Sequence, residues 1–109
     1  MDWRVSNLIE SINSHTGGVD WSLEHICRGL GLGISPAYAG RLFKHHTGLG
    51  AREYAKKQRL QQAMLRLTTT DLQIKVIADQ LGYRQSSDFT RFFREQCFQT
   101  PTKFRKRAG

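Results

Sequence analysis

The sequence predicts an all-α protein of about seven helices, arranged as two helix-turn-helix subdomains joined by a long linker helix. Three observations lead there. Apolar residues recur at helical spacing along the chain. Glycines and Ser-Pro or Thr-Pro pairs cut that pattern into pieces of helix length. Part of the pattern also occurs twice. Ile26, Leu30 and Gly31 match Ile77, Leu81 and Gly82 at an offset of 51, and Arg41, Phe43 and Lys44 match Arg91, Phe93 and Arg94 at an offset of 50. The one-residue slip falls in the turns.

The elements follow in order. Val5, Leu8, Ile9 and Ile12 form a first stripe, ended by Thr16-Gly17-Gly18. Leu23, Ile26, Cys27 and Leu30 form a second, stopped by Gly31-Leu32-Gly33. Ser35-Pro36 opens a third helix, because Ser caps free backbone N–H groups and Pro at the first helical position has no N–H to leave unpaired. It should run to Thr47, with Gly48 as its stop. From Ala51 to Thr68 a longer helix of about 27 Å carries Tyr54, Leu60, Met64 and Leu67 on one side. Arg52, Lys56, Arg59 and Arg66 line another side. Thr68 to Asp71 breaks it. Short helices are expected over about 73–81 and 85–96. Thr100-Pro101 repeats the Ser-Pro start for a final helix through Phe104. The chain thus divides into a first subdomain over 1–49, a linker helix over 50–69 and a second subdomain over 70–109.

At 109 residues the chain is one domain, or two very small ones sharing a linker. Its 17 Lys and Arg outnumber 9 Asp and Glu, for a net charge of +8. Residues 1–50 are neutral overall, and the remainder, with 13 basic and 5 acidic groups, holds the entire excess. A concentrated basic excess suits a polyanion, with a solubilising or membrane-facing patch as the bland alternative. Cys27 and Cys97 lie among apolar residues and in no ligand spacing, so they read as small hydrophobes. His45 and His46 are adjacent and point to different sides of a helix, and His25 and Cys27 do not converge, so no metal site is expected. No nucleophile-base-acid set, phosphate loop or catalytic carboxylate pair stands out, so neither catalysis nor a cofactor is expected. No signal peptide or membrane-spanning run is evident, which makes the cytoplasm the default.

The third and sixth helices carry the most specific pattern. In the third, Ala39, Leu42 and Phe43 share a core face, and Ala37, Gly40, Arg41 and Lys44 lie opposite. In the sixth, Phe89, Phe92 and Phe93 are core, and Ser87, Thr90, Arg91 and Arg94 lie opposite at the same spacing. Two equivalent faces that each end in a pair of cations point to double-stranded DNA. Arg bonds bidentately to guanine, and Ser and Thr hydroxyls adapt to several base edges. Lys44, Arg94, the basic stripe of the long helix and some of Lys56, Lys57 and Arg59 suit phosphates. Two such helices would enter successive major grooves about 34 Å apart.

Here the chain resembles the DNA-binding domain of the AraC/XylS transcription regulators, over roughly residues 22–105. The resemblance rests on Arg59, Ala63, Ile74, Ile77-Ala78, Gly82-Tyr83, Asp88-Phe89, Arg91-Phe92-Phe93-Arg94, Thr100-Pro101 and Phe104-Arg105. Ser35-Pro36, Arg41-Leu42-Phe43-Lys44, Gly48 and Tyr54 match the first unit of that family. By size the chain is similar to the short, stand-alone members of the MarA and SoxS type. The resemblance implies a monomer on DNA and RNA polymerase as a candidate partner; a separate ligand-sensing domain is not expected to fit in 109 residues, so no small-molecule ligand is expected in this chain. It places base-reading positions at Ala37, Gly40 and Arg41, and at Ser86, Ser87, Thr90 and Arg91.

The chain also departs from the family pattern. From Gly31 to Arg41 the turn is about two residues longer than usual. Ala39 replaces a typical leucine, Gly40 a polar reader, and Gln85 a capping Ser. The first unit should therefore read sequence mainly through Arg41, leaving more specificity to the second. The rival reading is an RNA-binding or protein-interaction adaptor with a basic face. An RNA binder would want exposed aromatic residues, and most aromatics here are spaced as core. Tyr38 and Trp3 find no place in either scheme.

Overall fold

The computed structural model describes residues 2–14 and 22–108. These form seven helices and no strand: α1 (Trp3–Ser14), α2 (Leu23–Leu30), α3 (Pro36–Thr47), α4 (Ala51–Thr69), α5 (Ile74–Gln80), α6 (Ser86–Cys97) and α7 (Pro101–Ala108). The expected stop at Thr16-Gly17-Gly18 lies outside the described residues. The last helix runs one turn past Phe104, to Ala108.

The described residues fall into two compact units, 2–14 with 22–58, and 59–108. The long helix is not a spacer outside both. Ala51 and Ala55 near its start are buried in the core of the first unit, and Ala63 and Leu67 near its end in the core of the second.

In the first unit, Val5, Leu8 and Ile12 of α1 pack with Ile26 and Cys27 of α2, Ala39 and Phe43 of α3, and Leu32 in the turn between α2 and α3. The local signals act as the sequence suggests. Ser22 and Ser35 accept hydrogen bonds from the backbone N–H groups of His25 and Tyr38, at 3.2 and 3.1 Å. Each such cap contributes about 1 kcal/mol. Gly31 and Gly48 end their helices at φ of 61° and 80°, a left-handed conformation that glycine adopts without strain.

The second unit repeats this plan with different side chains. Ile77, Ala78, Leu81, Tyr83, Phe89 and Phe93 are buried with Ala63 and Leu67. α6 begins 50 positions after α3 and has the same length, 12 residues. The closing contacts recur too: Phe43 meets Tyr54 edge-on at 5.2 Å, and Phe93 meets Phe104 edge-on at 5.3 Å. Gln85 precedes α6 without making a side-chain cap. One contact of this unit has no equivalent among the described residues of the first. Arg105 donates to the backbone oxygens of Leu67, Thr70 and Leu72, at 3.1, 3.2 and 2.6 Å. It thereby satisfies the Leu67 carbonyl in the last turn of α4 and two carbonyls just after the helix.

Candidate nucleic-acid interface

The core fixes which way α3 and α6 face. Ala39 and Phe43 in α3, and Phe89 and Phe93 in α6, are fully buried. With those positions turned inward, the helical period brings 37, 41 and 44, and 87, 91 and 94, to the outside. Ala37, Arg41, Lys44, Ser86, Ser87, Arg91 and Arg94 are all exposed, and Gly40 and Thr90 lie half-buried at the edge of the face. Each recognition face expected from spacing is thus one accessible surface in its own unit.

The cations on these faces differ in how they are held. Arg91 donates from Nη2 to Oδ1 of Asp88, three residues earlier, at 2.8 Å. Arg41 has no carboxylate partner among the described residues. Its guanidinium lies 5.8 Å from the centre of the Tyr38 ring, also three residues earlier. Arg4 approaches the same ring at 5.8 Å, but its charge is compensated by Asp2 through bonds of 3.1 and 2.8 Å. Hydrogen bonds from the Arg4 side chain and backbone lower the pKa of Asp2 to about 2. Lys44, Lys56, Lys57 and Arg94 are exposed and form no ion pair among the described residues.

Arg59 is placed differently. It is half-buried, its guanidinium lies 5.3 Å from the Phe92 ring centre and 5.7 Å from that of Tyr83, and Nη1 donates to the Tyr83 hydroxyl at 3.1 Å. A guanidinium set against two rings in this way ties α4 to α6 inside the second unit, instead of standing free as Lys56 and Lys57 do. Burial raises the Tyr83 phenol pKa, against which the Arg59 bond acts.

Tyr38 and Asp88 are the residues that spacing did not place as arginine partners. The available signal was their common position, three residues before Arg41 and Arg91. Both cysteines are free, and burial raises the pKa of each thiol, as expected of packed rather than reactive sulfur. No group of three or more His, Cys, Asp or Glu among the described residues is arranged to hold a metal. No helix among them is long and apolar enough to cross a membrane.

Comparison with known proteins places this geometry. A family model described as a helix-turn-helix domain matches residues 31–107. Regulatory protein SoxS of Salmonella typhimurium is 34% identical over 96 residues, covering 82% of this chain and 90% of that protein. Several other curated relatives are longer, and the chain spans 29 to 37% of their length. Among solved structures, the C-terminal domain of AraT, a response regulator from Geobacillus stearothermophilus, superposes with a TM-score of 0.85 at 27% identity, covering 94% of this chain and 84% of that one. The DNA-binding domain of AdpA, a global transcriptional factor solved in complex with a target DNA, has the same fold, with a TM-score of 0.80 at 22% identity over 94% of this chain and 89% of that one. With its duplicated helical units and their matching outward faces, the chain belongs to the AraC-type helix-turn-helix family of transcription regulators.

Proposed function

We propose that this chain binds double-stranded DNA in a sequence-specific way through α3 and α6, each entering a major groove, and regulates transcription without catalysis. The observation that carries the reading is the repeated exposed face on those helices, with Arg41 and Lys44 on one and Arg91 and Arg94 on the other. Membership of the AraC-type family supports it. Arg41, Ser86, Ser87, Thr90 and Arg91 face base edges, while Ala37 and Gly40 sit on the same face and offer no polar side chain. Lys44, Arg94, Lys56 and Lys57 hold phosphates. Arg59, engaged with Tyr83 and Phe92, supports the second unit and is not counted among them. The chain acts in the cytoplasm as a monomer on DNA, with RNA polymerase as the protein partner to test.

Selection of bound duplexes from a random pool tests the reading. Two short motifs one helical turn apart are expected, with more information under α6 than under α3. Equal information under both units removes the assignment of specificity to α6. Arg91→Ala should weaken binding to the selected site by about 1–3 kcal/mol and relax preference at one base pair. A protein that prefers single-stranded RNA to duplex DNA in a filter-binding comparison is instead an RNA adaptor.

A further inference from the structure

We propose that Asp88 and Tyr38 are positioning residues that set how the two base-facing arginines are presented: Asp88 locks Arg91 into a discriminating reader, and Tyr38 supports Arg41 as a looser, fully charged one. This inference rests on the reading of Arg41 and Arg91 as base-facing.

The two residues occupy the same place in the two units, one helical turn before the arginine and 50 positions apart. Both are on the exposed side of their helices. What each does to its arginine differs in kind. The Asp88–Arg91 bond is short, at 2.8 Å, yet the side chains remain 49% and 67% exposed. An exposed pair at this spacing adds little to stability. Its carboxylate, moreover, sits on a face that must approach phosphates, where a negative charge opposes binding. The physical gain is orientation. One bond from Nη2 narrows the rotamers open to Arg91 and leaves its other N–H donors for the two acceptors of guanine. Less rotamer freedom is then lost on contact. The pair is also close to neutral, so Arg91 contributes more to choosing a base than to attracting the backbone.

Tyr38 gives Arg41 a surface without consuming an N–H donor or cancelling its charge. The second cation at that ring, Arg4, is already bound to Asp2, which reduces its repulsion of Arg41. Arg41 therefore keeps its full charge and a softer restraint. It should discriminate less and depend more on salt.

The test uses the full 109-residue chain and the tightest duplex recovered by selection. Binding is measured to that duplex, to each single-base-pair variant and to a scrambled duplex, over a range of salt. Asp88→Asn is expected to cost about tenfold of discrimination at one base pair, within the range a bidentate contact supplies. Affinity for the scrambled duplex should hold or rise, and the salt slope should steepen by up to about one. Asp88→Glu should recover part of the preference. Tyr38→Ala should cost a few-fold of preference at one base pair under α3, of the order of a single cation–π contact, and Tyr38→Phe should restore it. If Arg91→Ala erases a preference that Asp88→Asn leaves intact, the positioning role is overturned while the base-reading assignment survives. If Arg91→Ala erases no preference at all, the base-reading assignment itself falls, and the positioning role with it. A uniform loss of affinity for every duplex in Asp88→Asn also overturns the proposal, because it marks a merely structural effect.

Discussion

The two units share a backbone plan and differ in what fills it. Position for position, α3 has Tyr38, Ala39 and Gly40 where α6 has Asp88, Phe89 and Thr90. After α3 the chain turns at Gly48, with φ 80°; after α6 it turns at Phe98, with φ 60° and 91% of its surface exposed. Basic residues outnumber acidic ones seven to four in the first unit and ten to four in the second. The difference teaches how little is needed to hold the plan. A buried aromatic at 43 and 93, its edge-on partner at 54 and 104, and a left-handed turn at 48 and 98 are common to both. The other positions differ, and the outward face of α6 carries more polar side chains than that of α3.

The largest expected effect challenges the independence of the units. Phe43→Ala and Phe93→Ala should each cost about 3–5 kcal/mol through lost burial and the cavity left behind. Native-state hydrogen exchange should show the loss confined to the unit that carries the change. Equal loss of protection in both units would show that they unfold together. Arg105→Ala comes next, at about 2–3 kcal/mol, because three backbone oxygens lose a charged donor. The equivalent position in the first unit is Ala55, so no counterpart exists there. Urea unfolding followed by Trp-independent probes such as amide exchange should locate this loss around residues 67–72.

A smaller pair of changes exchanges the turns. Gly48→Ala should destabilise the first unit by about 1 kcal/mol, and Phe98→Gly should stabilise the second by a similar amount, since a side chain in the left-handed region is strained. Nothing lies within 4 Å of a Cβ built at Gly48, so backbone strain is the whole cost there. A Phe98→Gly protein no more stable than its parent would mean that the phenylalanine makes a compensating contact. Smallest of all, Gly40→Ala should raise stability by about 0.5–1 kcal/mol by removing a mid-helix glycine. The added Cβ would meet only Leu23 Cδ2, at an ordinary 3.5 Å. A melt that moves down instead would show that α2 and α3 are packed more tightly there than this distance implies.

Much of the fold was legible in the sequence, for local reasons. Ser35-Pro36 and Gly48 bound α3 to the residue, because capping and left-handed turns are decided by a few neighbouring atoms. The outward faces of α3 and α6 followed from spacing, because burial of 39, 43, 89 and 93 leaves a rigid helix no other orientation. The role of Arg59 was not legible in this way. Its place on a basic stripe suggested phosphate, but stripe position does not reveal that Tyr83 and Phe92 enclose it from elsewhere in the second unit. The burial of Ala51, Ala55 and Ala63 was equally hidden in hydropathy, since alanine is found on either face of a helix.

The sequence by itself determined the helices, their stops, the duplication, the position of the positive charge and the residues on each recognition face. These depend on interactions within a turn or two of chain and on a period the helix imposes. Only the tertiary structure decided that α4 belongs to both cores, that Arg105 closes the carbonyls after it, and that Arg59 is packed while Lys56 and Lys57 are free. It also decided that Arg4 of α1 reaches the ring of Tyr38. Those contacts join residues 24 to 38 positions apart. Their partners are chosen by which faces the cores bring together, and no local pattern in the chain carries that information.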